Sequence, residues 1–170
     1  MLTFKQLYDS TIFFSHWRGS YPDVTTELVA IIPNLLTHQI TFKYRAKSAS
    51  NSNEGYNVYV QFYNVNMDIK PITTNSIKIV DKDGDSVYFE RISITDPNPK
   101  NWCRVRCGCM DFRHRFAWED RAVNALYGPP PPSYTPVPGS KRGPVNPEHI
   151  PGFCKHIFAA VRDHQRFFMR

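Results

Sequence analysis

Four side chains in the C-terminal part of the chain have the types and spacing to hold a metal ion. Cys107-Gly108-Cys109 sets two thiols on either side of a glycine, and Cys154-Lys155-His156 sets a third thiol beside an imidazole. Thiolate and imidazole are donors that zinc prefers, and four of them complete a tetrahedron with no position left for water. A site of that kind is structural and not catalytic. Cys107, Cys109, Cys154 and His156 are therefore the candidate ligands, and structural Zn2+ is the expected cofactor. Two residues compete for a place in the set. Cys103 either replaces a ligand or faces the core as a small hydrophobe. His149 rivals His156, although the Cys-x-His spacing favours the latter, and His16, His38, His114 and His164 have no ligand partner at useful spacing.

Two kinds of element must position these pairs. Trp102 to Cys107 alternates Cys103, Val105 and Cys107 with Trp102, Arg104 and Arg106, which is the period of a strand ending at the first thiol pair. Gly108 lets the backbone curl both sulfurs around one ion. Met110 to Tyr127 then takes helical spacing through Phe112, Phe116, Val123 and Leu126 or Tyr127, with Asp111 in its first turn and Gly128 at its end. A C-terminal helix follows the second pair, its apolar face marked by Phe153, Ile157, Ala160 or Val161, His164 and Phe167 or Phe168. Between the helices, residues 128–152 hold 9 of the chain's 14 prolines and the apolar anchors Tyr134, Val137 and Val145. This stiff insertion reads as an arm lying on its own domain or on a neighbouring chain, or as a solvated loop. A metal that pins the last helix to the strand across it would contribute directly to folding.

The residues before that module read as a β-rich body with an N-terminal arm. Leu2 to Tyr8 is a short helix or a strand lead-in, and Val24, Leu28, Ile31 or Ile32 and Leu35 or Leu36 have helical spacing interrupted by Pro33. Gln39 to Lys47 alternates as a half-buried strand, and Tyr56 to Val65 forms a second. Ser76 to Val80 and Ser86 to Ile94 flank an Asp-Gly turn, a hairpin signal. Asp81, Asp83 and Asp85 invite a calcium-loop reading, but the glycine comes too early and no glutamate closes the loop. The fold class is thus α+β: an antiparallel β-rich body over 1–100 and a zinc-clamped strand–helix–Pro-rich loop–helix module over 101–170.

Composition sets the limits. With 170 residues, 41% of them hydrophobic, the chain can bury a core, and no apolar run approaches the roughly 18 residues of a membrane span. Met1 to Ser10 lacks the apolar core of a secretory signal, so the cysteines read as metal donors and not as a disulfide framework. The net charge of +6 is uneven: residues 1–98 carry 9 basic and 10 acidic side chains, and residues 99–170 carry 12 and 5. Arg104, Arg106 and Lys155 are placed to offset the formal negative charge of a three-thiolate zinc site. Nucleic-acid binding is the rival use of this charge, through Arg113, Arg115, Arg121, Lys141, Arg142, Arg162 and Arg166 around Phe116, Trp118 and Tyr134. No nucleophile–base pair, phosphate loop or open metal motif appears, and Asp111, Glu119 and Asp120 read as solvated helix charges, so an enzyme is not expected.

The Cys-x-Cys and Cys-x-His pairs at a strand end and a helix start resemble the SWIM-type zinc module over about Trp102 to Ala160. The resemblance implies Cys107, Cys109, Cys154 and His156 as ligands, although 44 residues separate Cys109 from Cys154, more than that module usually carries. The segments Cys107 to Ala117, Ala125 to Pro131 and Asn146 to His156 also look like small structural proteins of tailed bacteriophages, in which a long proline-rich spacer is normal. That likeness implies a virion component of the neck, tail or baseplate, assembled in the host cytoplasm beside other virion structural proteins and away from membranes. Phe13, Phe14, Trp17 and Tyr21 would then either anchor partners or join the domain's own core.

Overall fold

Alternating side chains in the middle of the chain build an antiparallel sheet whose inner face carries the core. The computed structural model describes residues 1–13, 24–48, 51–80, 83–95, 101–132 and 146–169. Its elements are, in order, β1 (Leu2–Thr3), α1 (Phe4–Phe13), β2 (Thr25–Asn34), β3 (Gln39–Ser48), β4 (Asn51–Phe62), β5 (Met67–Asp68), β6 (Ile77–Val80), β7 (Ser86–Phe89), β8 (Ile92–Ser93) and β9 (Trp102–Cys107). Then come α2 (Met110–Arg115), α3 (Ala117–Ala122), α4 (Lys155–Asp163), a 3-10 turn (Gln165–Phe167) and β10 (Phe168–Met169). The main sheet runs β1-β9-β4-β3-β2, all antiparallel, beside a three-stranded β5-β7-β6 sheet and a parallel β8–β10 pair. The expected α+β class with antiparallel sheets dominant is what the chain adopts.

The strand that carries the first thiol pair is held on both edges. β4 lines one side, with Val60 opposite Val105 and Val58 opposite Cys107. On the other side β1 pairs through Leu2 and Cys103. Farther along that edge Val105 N–H donates to the Ala125 carbonyl at 2.8 Å, and Tyr127 N–H donates to that of Val105 at 3.1 Å. A strand from the C-terminal segment thus sits inside the sheet made by the N-terminal segment, and one core spans both. α4 lies across β2, β3, β4 and β9 on the inner face. Ile40, Phe42, Tyr44 and Ala46 point to that face, and Phe42 meets the rings of Phe62, Phe89, Phe167 and Phe168.

Two expectations need correction, and a third is resolved. The helix expected over residues 24–36 is the edge strand β2. A bulge shifts its register against β3 between Leu28 and Ala30, so Val24, Thr26 and Leu28 face inward before it and Ile31, Pro33 and Leu35 after it. One extra residue in a strand turns period two into the four-then-three spacing of a helix. Pro33 is tolerated because β2 is an edge. The single helix over 110–127 is two short ones bent at Phe116, and Asn124 in the left-handed region (φ 58°) ends the second, well before Gly128. Arg104 fixes that end by donating to the Asn124 side-chain oxygen at 2.6 Å. Finally, the lead-in is both strand and helix: Thr3 and Gln6 cap α1 reciprocally, Thr3 N–H donating to Gln6 Oε1 at 2.9 Å and Gln6 N–H to Thr3 Oγ1 at 3.2 Å.

The β6–β7 hairpin forms as expected, with Val80 opposite Ser86 and Gly84 at φ 88°. Asp81, the aromatics Phe14, Trp17 and Tyr21 with the Phe13 side chain, and Tyr134, Val137, Lys141, Arg142 and Val145 lie outside the described residues. No helix among the described residues is long and apolar enough to cross a membrane.

The packing predicts a contrast. Phe42→Ala is expected to lower unfolding free energy by about 3–5 kcal/mol, because the surrounding rings cannot close the cavity. Val29→Thr, on the outer side of the bulge, is expected to change it by less than about 0.5 kcal/mol. Urea unfolding curves of the two variants check both, and a large loss at Val29 would mean that the bulge is misplaced.

Candidate metal centre

The two thiol-bearing turns meet because each is the start of a helix. β9 ends at Cys107 on the inner face, and Gly108 N–H donates to the Asn57 carbonyl at 3.0 Å, turning the chain off the sheet. Cys109 is then the N-cap of α2: its sulfur accepts from Phe112 N–H at 3.3 Å. Cys154 is the N-cap of α4, which places His156 in the first turn. Helix starts leave N–H groups without intrahelical partners, and those favour thiolate.

Cys107, Cys109, Cys154 and His156 come together, one donor atom from each lying within 4.8 Å of the others. All four are buried, between 1% and 4% exposed. Cys154 Sγ stands 3.8 Å from His156 Nδ1. Zinc at about 2.3 Å from sulfur and about 2.1 Å from nitrogen in a tetrahedron separates those two atoms by about 3.6 Å. The fit is close. The imidazole's other nitrogen, Nε2, is buried with no hydrogen-bond partner among the described residues. These four residues could hold a metal ion as they stand.

The protonation states lead to the same conclusion. Burial pushes the Cys107 and Cys154 thiols well above their ordinary range. Cys109 is held far below it, first by the Cys107 thiol and then by that of Cys154. The buried cluster thus favours charge on Cys109 over Cys107 and Cys154. A divalent ion removes that asymmetry by ionising all three.

The rival donors are elsewhere. Cys103 is fully buried on β9 opposite Leu2 and Phe62, in apolar surroundings that push its thiol up. His149 is exposed and bonds Glu119 through Nδ1 at 2.9 Å. Arg104 and Arg106 lie on the opposite side of β9 from the thiols, so they do not offset the site's charge at contact range. Arg106 donates to the carbonyls of Tyr127 and Pro129, fixing the first residues of the proline-rich insertion.

What the sequence reading missed is the strap that delivers Cys154. Asn146 anchors its start, donating to the Arg115 and Ile150 carbonyls, each at 2.8 Å, while its oxygen accepts from Ile150 N–H at 3.1 Å. The Asn-Pro dipeptide was the available signal. Gly152 N–H then donates to Asp120 Oδ1 at 2.9 Å, and Phe153 N–H to Thr11 Oγ1 at 3.0 Å. A Cβ on Gly152 would lie 2.5 Å from Thr11 Oγ1 and 3.1 Å from the Phe116 ring, so this passage admits only glycine. Asp120 is not the solvated charge expected: it is fully buried, with Oδ2 unpartnered, and burial raises its pKa well above the usual carboxylate range. Nothing in a helix-like pattern marks one acid as interior.

Comparison with family models, with curated proteins and with solved structures finds no match. The SWIM-type and phage likenesses therefore stand on the quoted motifs alone.

Two outcomes follow. One metal per chain is expected, lost in Cys109→Ser and in Cys154→Ser but kept in Cys103→Ser, by elemental analysis of the purified protein. Equal loss in the Cys103 variant would refute the ligand set. For Asp120, a raised folded pKa means stability is fully present below the unfolded value of about 3.9 and falls as pH rises through the folded one. Asp120→Asn keeps an oxygen for Gly152 N–H, so its stability relative to the parent should grow with pH from about 4 upward. Denaturant curves at matched metal content test this; a difference that is flat with pH would show the carboxyl to be ionised in the folded state.

Proposed function

We propose that this chain is a non-enzymatic structural protein of a larger assembly, in which zinc bound by Cys107, Cys109, Cys154 and His156 locks the last helix onto the sheet. The observation that carries the reading is a set of four donors, all buried, with a soft, nitrogen-and-sulfur character. Three thiolates and one imidazole match zinc, saturate it, and leave substrate no place on the ion. The metal's contribution is then to folding: it joins β9 to α4 across the proline-rich insertion.

The setting we propose is the virion of a tailed phage, at the neck, tail or baseplate, with neighbouring virion proteins as partners. The support is the motif likeness over Cys107 to Ala117, Ala125 to Pro131 and Asn146 to His156. A second support is the edge of β2, unpaired among the described residues, which presents Val29, Ile32 and, at the hairpin tip, Leu36, 95% exposed. An unpaired edge with apolar side chains suits pairing with another chain. Of the residues weighed for nucleic acid, Phe116 belongs to the core and Arg115 and Arg162 bond Asp111 and Asp163, so these three offer little to phosphate or bases.

Cobalt substitution tests the site and particle analysis tests the setting. A closed tetrahedral thiolate spectrum without exchangeable water is expected; a water-accessible ion would overturn the structural role. The chain should occur in purified particles at fixed stoichiometry, and its absence from them would remove the virion setting.

A further inference from the structure

The sheet has a second face, and its composition is unlike the first. β3 sends Lys43, Arg45 and Lys47 outward, β4 sends Asn57, Tyr59 and Gln61, and β9 sends Trp102, Arg104 and Arg106. Register brings these into rows. Lys43 is opposite Tyr59, and Tyr59 is opposite Arg106; Thr41 is opposite Gln61, and Gln61 is opposite Arg104. Along the first row the Lys43 ammonium lies 5.9 Å from the Tyr59 ring centre, and Tyr59 stacks on Tyr127 at 5.1 Å. At the end of the second, the Arg104 guanidinium lies 5.1 Å from the ring of Tyr63.

Positive charge predominates here. Glu27, on the edge strand β2, and Glu54, near the start of β4, are the two acidic residues of the five strands. Arg104 and Arg106 bond neutral oxygens of Asn124, Tyr127 and Pro129, so their positive charge is oriented without being cancelled. None of Lys43, Arg45, Lys47, Arg104 and Arg106 is ion-paired with a carboxylate among the residues whose side chains are described. The N-terminal half, acidic by count, thus supplies three of the five cations of this surface. Beside Tyr59 and Arg106 the face opens into a cavity of about 330 Å³, walled by Asn57, Arg113 and the run of prolines from Pro129 to Pro132.

We infer that this outer face binds single-stranded nucleic acid. The sheet presents tyrosine rings, Tyr59 stacked with Tyr127 and Tyr63 beside Arg104, as stacking surfaces for unpaired bases, and the neighbouring cations meet the phosphates. The cavity beside Tyr59 takes a base turned off the strand. A duplex keeps its bases stacked away from such a surface, and an acidic protein would use the cations but not the rings. The inference uses neither the metal nor the virion setting, so its failure leaves both untouched.

Fluorescence anisotropy with a labelled oligothymidylate of about 20 nucleotides tests it on the zinc-loaded full chain. Binding at about 50 mM salt is expected, weakening steeply as salt rises. Tyr59→Ala should cost about tenfold or more in affinity. Lys43→Gln with Lys47→Gln should make the log–log salt slope shallower by about 0.7 for each phosphate contact removed. Arg106 is left unchanged because it holds the insertion, and metal content and melting temperature establish that each variant is folded. No binding to the oligonucleotide at low salt would overturn the inference. So would binding indifferent to Tyr59 in a folded variant, equal binding to duplex, or equal binding to a polyglutamate peptide, which would mark the face as a site for acidic protein.

Discussion

Three sulfurs and an imidazole are buried within 4.8 Å of one another, and the C-terminal half of the fold is arranged around making that possible. Burial opposes charge on Cys107 and Cys154, while their thiols favour it on Cys109. A divalent cation would turn the same cluster into four bonds. Both helix starts serve this geometry, and so does the turn at Gly108. The strap serves it too, entering between Asp120 and Thr11 where only glycine passes. Asp120 is the cost of that route: a carboxyl placed in the interior to hold one backbone N–H.

The sheet separates two kinds of chemistry by its pleat. Side chains at alternate positions of β3, β4 and β9 go to the aromatic core and the thiol cluster, or to the tyrosine and cation rows outside. Cys107 and Arg106 are neighbours in sequence yet belong to opposite surfaces. A one-residue slip of β9 would exchange them, exposing the thiols and burying the arginines. Its pairing on both edges, with β4 on one side and β1 and residues 125–127 on the other, holds that register.

Features that reside in a few adjacent residues were legible in the chain. The two ligand pairs, the alternation of β3 and β9 and the Asp-Gly hairpin all carry their signal locally. β2 was misread because its bulge gives Val24, Leu28, Ile31 and Leu35 the spacing of a helix. The end of α3 was misplaced because Asn124 does there what glycine was expected to do at 128. Asp120 and Asn146 were missed since their partners, Gly152 and the Arg115 carbonyl, are brought to them only by the folded chain. The outer basic face was hidden by addition. Lys43, Arg45 and Lys47 vanish in a segment of near-zero net charge and emerge when strands from both halves lie side by side.

Leu2 pairs with Cys103, and Phe153 N–H reaches back to Thr11. These early and late residues are stitched together, so α1 has no finished surface to rest on until the last helix exists. A ribosome delivers residues at about 5–20 per second, which leaves Phe4 and Leu7 waiting for several seconds without their partner Phe153. Contacts so distant in sequence are slow to close. An ion held by Cys107, Cys109, Cys154 and His156 would be captured only once residues 154–156 are made, and would act as the latch that ends this exposure.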